Sequence, residues 1–421
     1  MQDGIAGYEV RKNSHVIAGR PAKAVFLHKS PRHASDCGWA TSQAILVLPS
    51  GGEQRSGGVR SHAVRCHGRP AMMFREKRCK RMNSRFDEAL LEHRLRHADF
   101  ERLKKICTAG WPEDVVASSS RGVEDVVFRR HDNTVRFAVP WIARHLDLPD
   151  THIIDFGAGC GSSSLALSHF ARSVTGLEID AHYVAAFGER MRVFGVDNTR
   201  IIHSSPELIL DECVRCMTPQ TSVVLLAVVE HLLELEQVSY LQRMWQALSP
   251  GQCLIVMETP NLYAFYDGHT FERPFTHLIP DALFLTWLRS RSAVGLRFRD
   301  ALLATAEQQG EQAVLHQRRR LGRGVSHHCF ELAFDCDLSE IVVADGFCEN
   351  IVDWFPVFPD DRMLLGFFRD REIELPIGFA RSVLAFMFRK PDSAADARKV
   401  REWNRQHRNY VLSRYLDATP G

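Results

Sequence analysis

Three glycines at alternate positions, Gly157, Gly159 and Gly161, follow the apolar run Ile153-Ile154-Asp155-Phe156, and three serines, Ser162-Ser163-Ser164, follow them. A glycine-rich turn between a strand and a helix lets a ligand come close to the backbone, with the N–H groups of the helix start directed toward it. About 20 residues further on, Glu178 ends the next apolar run, where a carboxylate can accept hydrogen bonds from both hydroxyls of a ribose. Asp180 either shares that task or caps the following helix. The acid–base candidates are Glu230-His231 and, later, Asp267, His269 and His277. A histidine titrating near neutrality can take the proton from a hydroxyl nucleophile. His231 is equally suited to a structural place at a helix start, and Asp267-Gly268 is also a turn signal.

These residues need a scaffold, and the pattern around them supplies one. Strands are expected over 152–156, 173–178, 199–203, 221–229 and 252–258. Helices are expected over 162–171, 181–194, 206–216 and 234–248. Apolar spacing such as Tyr183, Phe187, Met191 and Phe194 marks the helices. Repeated strand–helix units of this length imply a parallel sheet covered on both faces, with ligands at the carboxyl ends of its strands where the strand order reverses. Before this core, helical patterns run from Ser84 to about Ile106 and from Thr134 to Leu146, the second interrupted by Pro140.

The chain has 421 residues, 45% of them hydrophobic, enough for a large core and two or three structural units. Its formal charge of +2 is uneven, because residues 1–85 carry 16 Lys/Arg against 5 Asp/Glu, and the remainder carries 37 against 46. The presumed folded part is therefore mildly acidic and offers no basic face for nucleic acid. The eleven cysteines are odd in number and lack paired metal spacing, apart from Cys213 and Cys216, so reduced thiols and no metal are expected. No apolar run reaches the roughly 20 residues of a membrane span, and no secretory signal is evident.

As a set, Asp155-Phe-Gly157-Ala-Gly159-Cys-Gly161, Gly176-Leu-Glu178-Ile-Asp180 and Val228-Val-Glu230-His231-Leu232 resemble the signature series of class I S-adenosylmethionine-dependent methyltransferases. The nearest flavour is the group that includes ubiquinone-biosynthesis O-methyltransferases and small-molecule or sugar methyltransferases. Ser249-Pro-Gly251 is similar to the turn before that family's fifth strand, and the likeness covers roughly residues 150–260 before resuming near the C-terminus. It implies an α/β fold with a Rossmann-like doubly wound seven-stranded sheet, an antiparallel last strand and a helical insertion after the fifth strand. It further implies S-adenosylmethionine as cofactor, with Asp155, Gly157, Gly159 and Gly161 at its amino-acid part, Glu178 at the ribose, Ser205 or Glu207 toward the adenine, and Glu230-His231 facing the active site. The G-x-G-x-x-G fingerprint of a nicotinamide-dependent oxidoreductase would need glycine where Ser162 stands. That oxidoreductase is the alternative, together with a non-catalytic cofactor-binding protein of the same fold.

The expected organisation is a basic disordered leader over 1–72 (or an upstream-extended start), a helical lead-in over 73–150, and a cofactor-binding core over 151–258. A substrate-side insertion over 259–335 follows, then the rest of the core over 336–391 and a terminal helix over 392–421. Within 336–391, a helix over 338–344, a strand around 349–355 and a last strand over 379–388 are expected. The basic run Arg318-Arg319-Arg320 reads as a solvated helix end or an anion contact, and His327-His328-Cys329 only superficially as a metal cluster. The function expected is a cytoplasmic methyltransferase that O-methylates a small molecule such as a sugar or quinone precursor, with His231, His269 and Asp267 as catalytic candidates. The terminal helix reads as packing or as a homodimer contact rather than as part of the chemistry.

Overall fold

The computed structural model describes residues 100–108 and 123–417. The expected leader over 1–72, and most of the lead-in helix that begins at Ser84, lie outside them. Helix α1 (Phe100–Cys107) precedes a helical run over 123–143, here α2, which starts earlier than Thr134. Pro140 does not break this run. It lies one residue beyond a π-helical stretch, Thr134–Ala138, whose wider turn suits a ring with no N–H to give.

The core then alternates as expected: β1 (His152–Phe156), α3 (Ser162–Ser168), β2 (Ser173–Glu178), α4 (Ala181–Phe194), β3 (Thr199–His203), α5 (Ile209–Cys216), β4 (Thr221–Leu226), α6 (Glu234–Ala247) and β5 (Cys253–Pro260). Asp180 caps α4, its Oδ1 accepting the His182 N–H at 2.8 Å, so its role is the structural one. The insertion holds a two-residue hairpin, β6 (Tyr266–Asp267) with β7 (Arg273–Pro274), and helices α7 (Asp281–Arg289), α8 (Arg299–Gln309) and α9 (Glu311–Arg320). Helix α10 (His327–Phe334), β8 (Val342–Asp345), α11 (Ile351–Trp354), α12 (Pro359–Asp370), β9 (Val383–Arg389) and α13 (Ala394–Leu412) complete the chain. Among the described residues no helix is long and apolar enough to cross a membrane.

The main sheet has seven strands in the order β3-β2-β1-β4-β5-β9-β8. β1 to β5 are mutually parallel, and β9 lies antiparallel between β5 and β8. This is the doubly wound sheet with an antiparallel last strand in chain order. Side chains alternate across it. Ile154, Phe156, Val223, Leu225, Leu254, Val256, Phe386 and Phe388 pack on one face with α6, α10 and α12. Ile153, Val174, Val224, Leu226, Ile255, Met257 and Met387 pack on the other with α2 and α3. That period of two, on strands buried on both faces, fixes the register.

One expectation is corrected. The strand placed around 349–355 is instead β8 at Val342–Asp345, the stretch read as a helix, and residues Ile351–Trp354 are helical. Four consecutive buried residues carry no alternation by which to tell strand from helix.

The insertion leaves and rejoins the sheet at one point. Asn261 bridges Val325, Leu262 N donates to Val325 O at 3.1 Å, and Val325 N donates to Pro260 O at 2.9 Å. The excursion is therefore a closed loop with its own small core (Phe271, Phe284, Leu288, Leu302, Val314, Leu321), and α10 already packs in the main core. Asn261, buried at the stem, gives both amide hydrogens to the carbonyls of Phe379 (2.9 Å) and Arg381 (2.8 Å) and accepts from Tyr263 N at 2.9 Å. Asn261→Ala strands two buried carbonyls, and stranding one costs about 1–3 kcal/mol. Urea unfolding of the variant is expected to show a loss of about 2–3 kcal/mol with an unchanged slope.

Candidate functional site

The glycine turn lies at the carboxyl end of β1, between β2 and β4, where the strand order reverses. All three glycines have positive φ, +73°, +54° and +83°. A methyl group on Gly157 would stand 2.7 Å from Val228 Cγ2, and one on Gly161 would stand 2.7 Å from the Phe187 ring. At Gly159 it would meet nothing within 4 Å, so the middle of the turn opens on free space. That opening is the cradle a ligand needs.

Glu178, buried at the tip of β2, holds the turn. Its Oε2 accepts the Gly159 N–H at 2.8 Å, and its Oε1 accepts those of Ile179 (2.8 Å) and Asp180 (3.0 Å). Burial pushes its carboxyl above the usual range, although the three amides pull the other way. At the end of β1, Asp155 accepts the hydroxyls of Ser163 (2.7 Å) and Ser164 (2.6 Å) from the start of α3, and burial raises its pKa too. Glu230, just beyond β4, is the third buried carboxylate. Its pKa is again raised by burial, its Oε2 accepts from Thr259 Oγ1 at 3.3 Å, and its Oε1 has no hydrogen-bond partner. Arg130 of α2 pairs with Glu258 of β5 at 2.8 Å, and its charge also acts on Asp155 and Glu230. Ala227 and Glu258, at the ends of β4 and β5, both have positive φ, placing backbone strain on this edge.

The insertion brings His269 to Glu230 and His231. The two imidazole rings lie 5.4 Å apart, and His231 Nε2 is 3.9 Å from Glu230 Oε1. His231 Nδ1 bonds to the Arg320 carbonyl at 2.9 Å, which makes Nδ1 the protonated nitrogen and leaves the Nε2 lone pair toward Glu230. Both histidines are half-buried, but His269 Nδ1 is closed off from solvent and the His269 pKa is pushed down to about 3 chiefly by desolvation. His269 is thus neutral and a poor base. The ligand atoms of Glu230, His231 and His269 lie within 4.8 Å of one another, near enough to share one cation. Among the described residues two other trios meet the same spacing, His327/His328/Glu331 and Asp345/Cys348/His407.

Asp267 is not brought into that group's chemistry by any free oxygen. It accepts from Thr270 N (2.7 Å), Thr276 Oγ1 (2.8 Å), His269 N (3.3 Å) and Phe271 N (3.3 Å), and so shapes the loop that carries His269. His277 is buried, and desolvation is the main cause lowering its pKa. Ser205 is exposed beyond β3, bonded to Glu207, with its carbonyl starting the turn into α5. Ile179 and Leu208, 47% and 55% exposed, leave apolar surface at the ends of β2 and β3, where a planar base could rest.

Three features were not apparent in the sequence reading. Arg130 carries no motif, and only the packing of α2 over the sheet edge gives it a role. Gly322 abuts the histidine pair, since a methyl group there would stand 2.4 Å from His269 Cε1 and 3.3 Å from Glu230 Cγ. The run Arg318–Arg320 is structural. Arg318 is buried, donates to Asp281 Oδ1 (2.9 Å) and the Ile279 carbonyl (2.6 Å), and lies 4.0 Å over the Phe284 ring, against the expectation of a solvated helix end. Arg320 delivers the carbonyl that orients His231.

No protein-family model and no curated protein matches the chain. Among solved structures it is similar in part to the YcgJ protein of Bacillus subtilis, at 15% identity over 29% of this chain and 50% of that one (TM-score 0.25). An S-adenosylmethionine-dependent methyltransferase of Clostridium acetobutylicum matches at 10% identity over 36% and 60% (TM-score 0.29). Phosphoethanolamine N-methyltransferase 1 of Haemonchus contortus, solved with phosphoethanolamine and S-adenosylhomocysteine, matches at 15% identity over 40% and 33% (TM-score 0.28). The chain spans about half the length of the first of these structures.

Two outcomes follow from the desolvated His269. Its folded pKa, about 3, lies below the ordinary 6.5, so between these values the unfolded chain binds one proton more. Its contribution is therefore full above pH 6.5 and falls as pH drops toward 3. Urea unfolding of His269→Gln at pH 7 and pH 4 is expected to show a flatter acid limb than the parent, by up to about 1.4 kcal/mol per pH unit. Gly322→Ala is expected to cost about 1–3 kcal/mol by overpacking and to disturb the imidazole resonances of His231 and His269.

Proposed function

We propose that the protein is an S-adenosylmethionine-dependent methyltransferase that O-methylates a small molecule, with His231 as general base. The observation that carries this reading is the set of buried carboxylates Asp155, Glu178 and Glu230 around the open cradle above Gly159. An edge that buries three carboxyl groups favours a ligand bringing positive charge. A dinucleotide would bring a pyrophosphate to the same turn, yet the Gly159 N–H is already given to Glu178. The oxidoreductase alternative is disfavoured on that ground.

The residues present fit this donor. Glu178 retains acceptor capacity for ribose hydroxyls beyond the three amides it holds. Ile179 and Leu208 offer apolar surface to the base, and Asp155 and Arg130 serve the charged amino-acid end. When bound, S-adenosylmethionine supplies a methyl group activated on a sulfonium. The chain's own tasks are to hold the acceptor hydroxyl in line, exclude water and accept the proton. His231 Nε2 is set for the last task by the Arg320 carbonyl, and a charge gained there faces the Glu230 carboxylate. His269 and the loop shaped by Asp267 wall the same space, which favours an acceptor small enough to be enclosed by the insertion.

A second reading has one observation in its favour. Glu230 Oε1 and His269 Nδ1 are both buried without a hydrogen-bond partner, as the ligand atoms of a divalent cation would be in an empty site. The trio would then polarise the acceptor oxygen through the metal rather than through His231 acting as base.

Calorimetry on the full chain is expected to show binding of S-adenosylmethionine and S-adenosylhomocysteine and none of NADH. Binding of NADH alone would overturn the reading. Glu178→Gln should weaken cofactor binding by about tenfold or more, equivalent to about 1.4 kcal/mol, with the melting temperature as control for the turn it organises. With labelled methyl donor and fractionated metabolites, His231→Ala should lower turnover by about 10²–10⁴-fold at unchanged cofactor affinity. Undiminished turnover removes the base. Turnover abolished by a chelator and restored by a divalent metal would establish the second reading.

A further inference from the structure

Beneath the glycine turn lies a group that the methyl-transfer reading does not use. Arg190 of α4 is fully buried. Its Nε donates to the Cys160 carbonyl at 2.9 Å, its Nη1 to the Val127 carbonyl at 2.9 Å and its Nη2 to the Val126 carbonyl at 3.1 Å. The same Nη2 lies 3.1 Å from Cys107 Sγ and 3.4 Å from Cys160 Sγ. Carbonyls satisfy its hydrogens but not its charge. Among the described residues it forms no ion pair with a carboxylate, and the two thiols are the foremost charges acting on it.

A guanidinium keeps its proton in proteins, and a buried charge needs a counter-charge. The two thiols, one from α1 and one from within the glycine turn, lie against the same Nη2 and titrate as a pair. Their mutual interaction comes first among the causes that hold Cys160 down, to about 5, and raise Cys107. The Ser162 hydroxyl, 3.9 Å from Cys160 Sγ, is the remaining side-chain polar neighbour of that sulfur.

We propose that Cys107 and Cys160 share a single thiolate as the counter-ion of Arg190, and that this dyad is a hydroperoxide-reactive site that closes to a disulfide. The thiolate sulfur attacks the O–O bond, takes one oxygen as a sulfenic acid and expels hydroxide. The second thiol then attacks the sulfenic sulfur, loses its proton and expels water. One thiolate, one thiol and one hydrogen peroxide thus give one disulfide, one water and one hydroxide, the sulfurs losing the two electrons the peroxide gains. The product clips α1 to the glycine turn and leaves Arg190 without its counter-charge, so it should be a readily reduced disulfide, unlike a structural one. This chemistry does not depend on the identity of the ligand above the turn.

The test treats the reduced full chain with one equivalent of hydrogen peroxide, then blocks free thiols and maps peptides by mass spectrometry. The linked Cys107–Cys160 peptide is expected as the first oxidation product, lost again on mild treatment with glutathione. In Cys107→Ser, whose second thiol is gone, a sulfenic acid at Cys160 should accumulate and be trapped by dimedone. The ultraviolet absorbance of one thiolate at neutral pH should be present in the parent and absent from the Cys107→Ser/Cys160→Ser double variant, with circular dichroism as the folding control. Oxidation that begins at the exposed Cys336 while Cys107 and Cys160 stay alkylatable would overturn the proposal. So would a double variant with the parent's thiolate absorbance.

Discussion

The carboxyl edge of this sheet buries three acids side by side in the fold, at or just beyond the ends of β2, β1 and β4, and each would rather be in water. Much of the surrounding architecture answers that demand. The glycine turn gives an amide to Glu178, the start of α3 gives two hydroxyls to Asp155, and α2 lays Arg130 over the edge. Glu230 is the least satisfied, with one oxygen bare, and it is there that the insertion delivers His269 beside His231. The polar shell and the chemistry are the same residues seen from two sides. A group that must be neutralised when buried is also one that responds to an incoming charge.

The sheet itself was legible because its strands are long enough to show which face each side chain takes, and because turn residues punctuate them. Ile153 and Ile154 go to opposite faces, as do Val223 and Val224, and the helices between carry a matching stripe. Legibility failed at β8, where Val342–Asp345 is four residues long and wholly buried, so that its pattern is equally that of a short helix. Position in a known order of elements could place a strand thereabouts but not its residues.

The site was legible only where it is local. Glycine spacing and the acid at the tip of β2 are short-range signals whose meaning survives without a structure. Arg130, Arg320 and Gly322 have no such signal. They matter because a helix packs across an edge or because a loop returns to it, and neither fact is written in the neighbouring residues. Asp267 shows the converse, a local signal with two meanings. A polar residue in a loop near two histidines suggested chemistry, and its four hydrogen-bond donors show a loop being shaped. Arg318 is similar, a charge read as solvated that is held by carbonyls and an aromatic face.

The stem at Asn261 and Val325 has a consequence for how such a protein can diversify. Because the excursion enters and leaves the sheet across a single bridge and carries its own core, its interior can drift, lengthen or be exchanged at little cost to the scaffold beneath. The constraint that remains is narrow: whatever replaces it must return a carbonyl to His231 and a small residue beside Glu230. Variation can therefore work on one module while the glycine turn stays fixed, and a lineage built on this plan would keep that turn and vary above it.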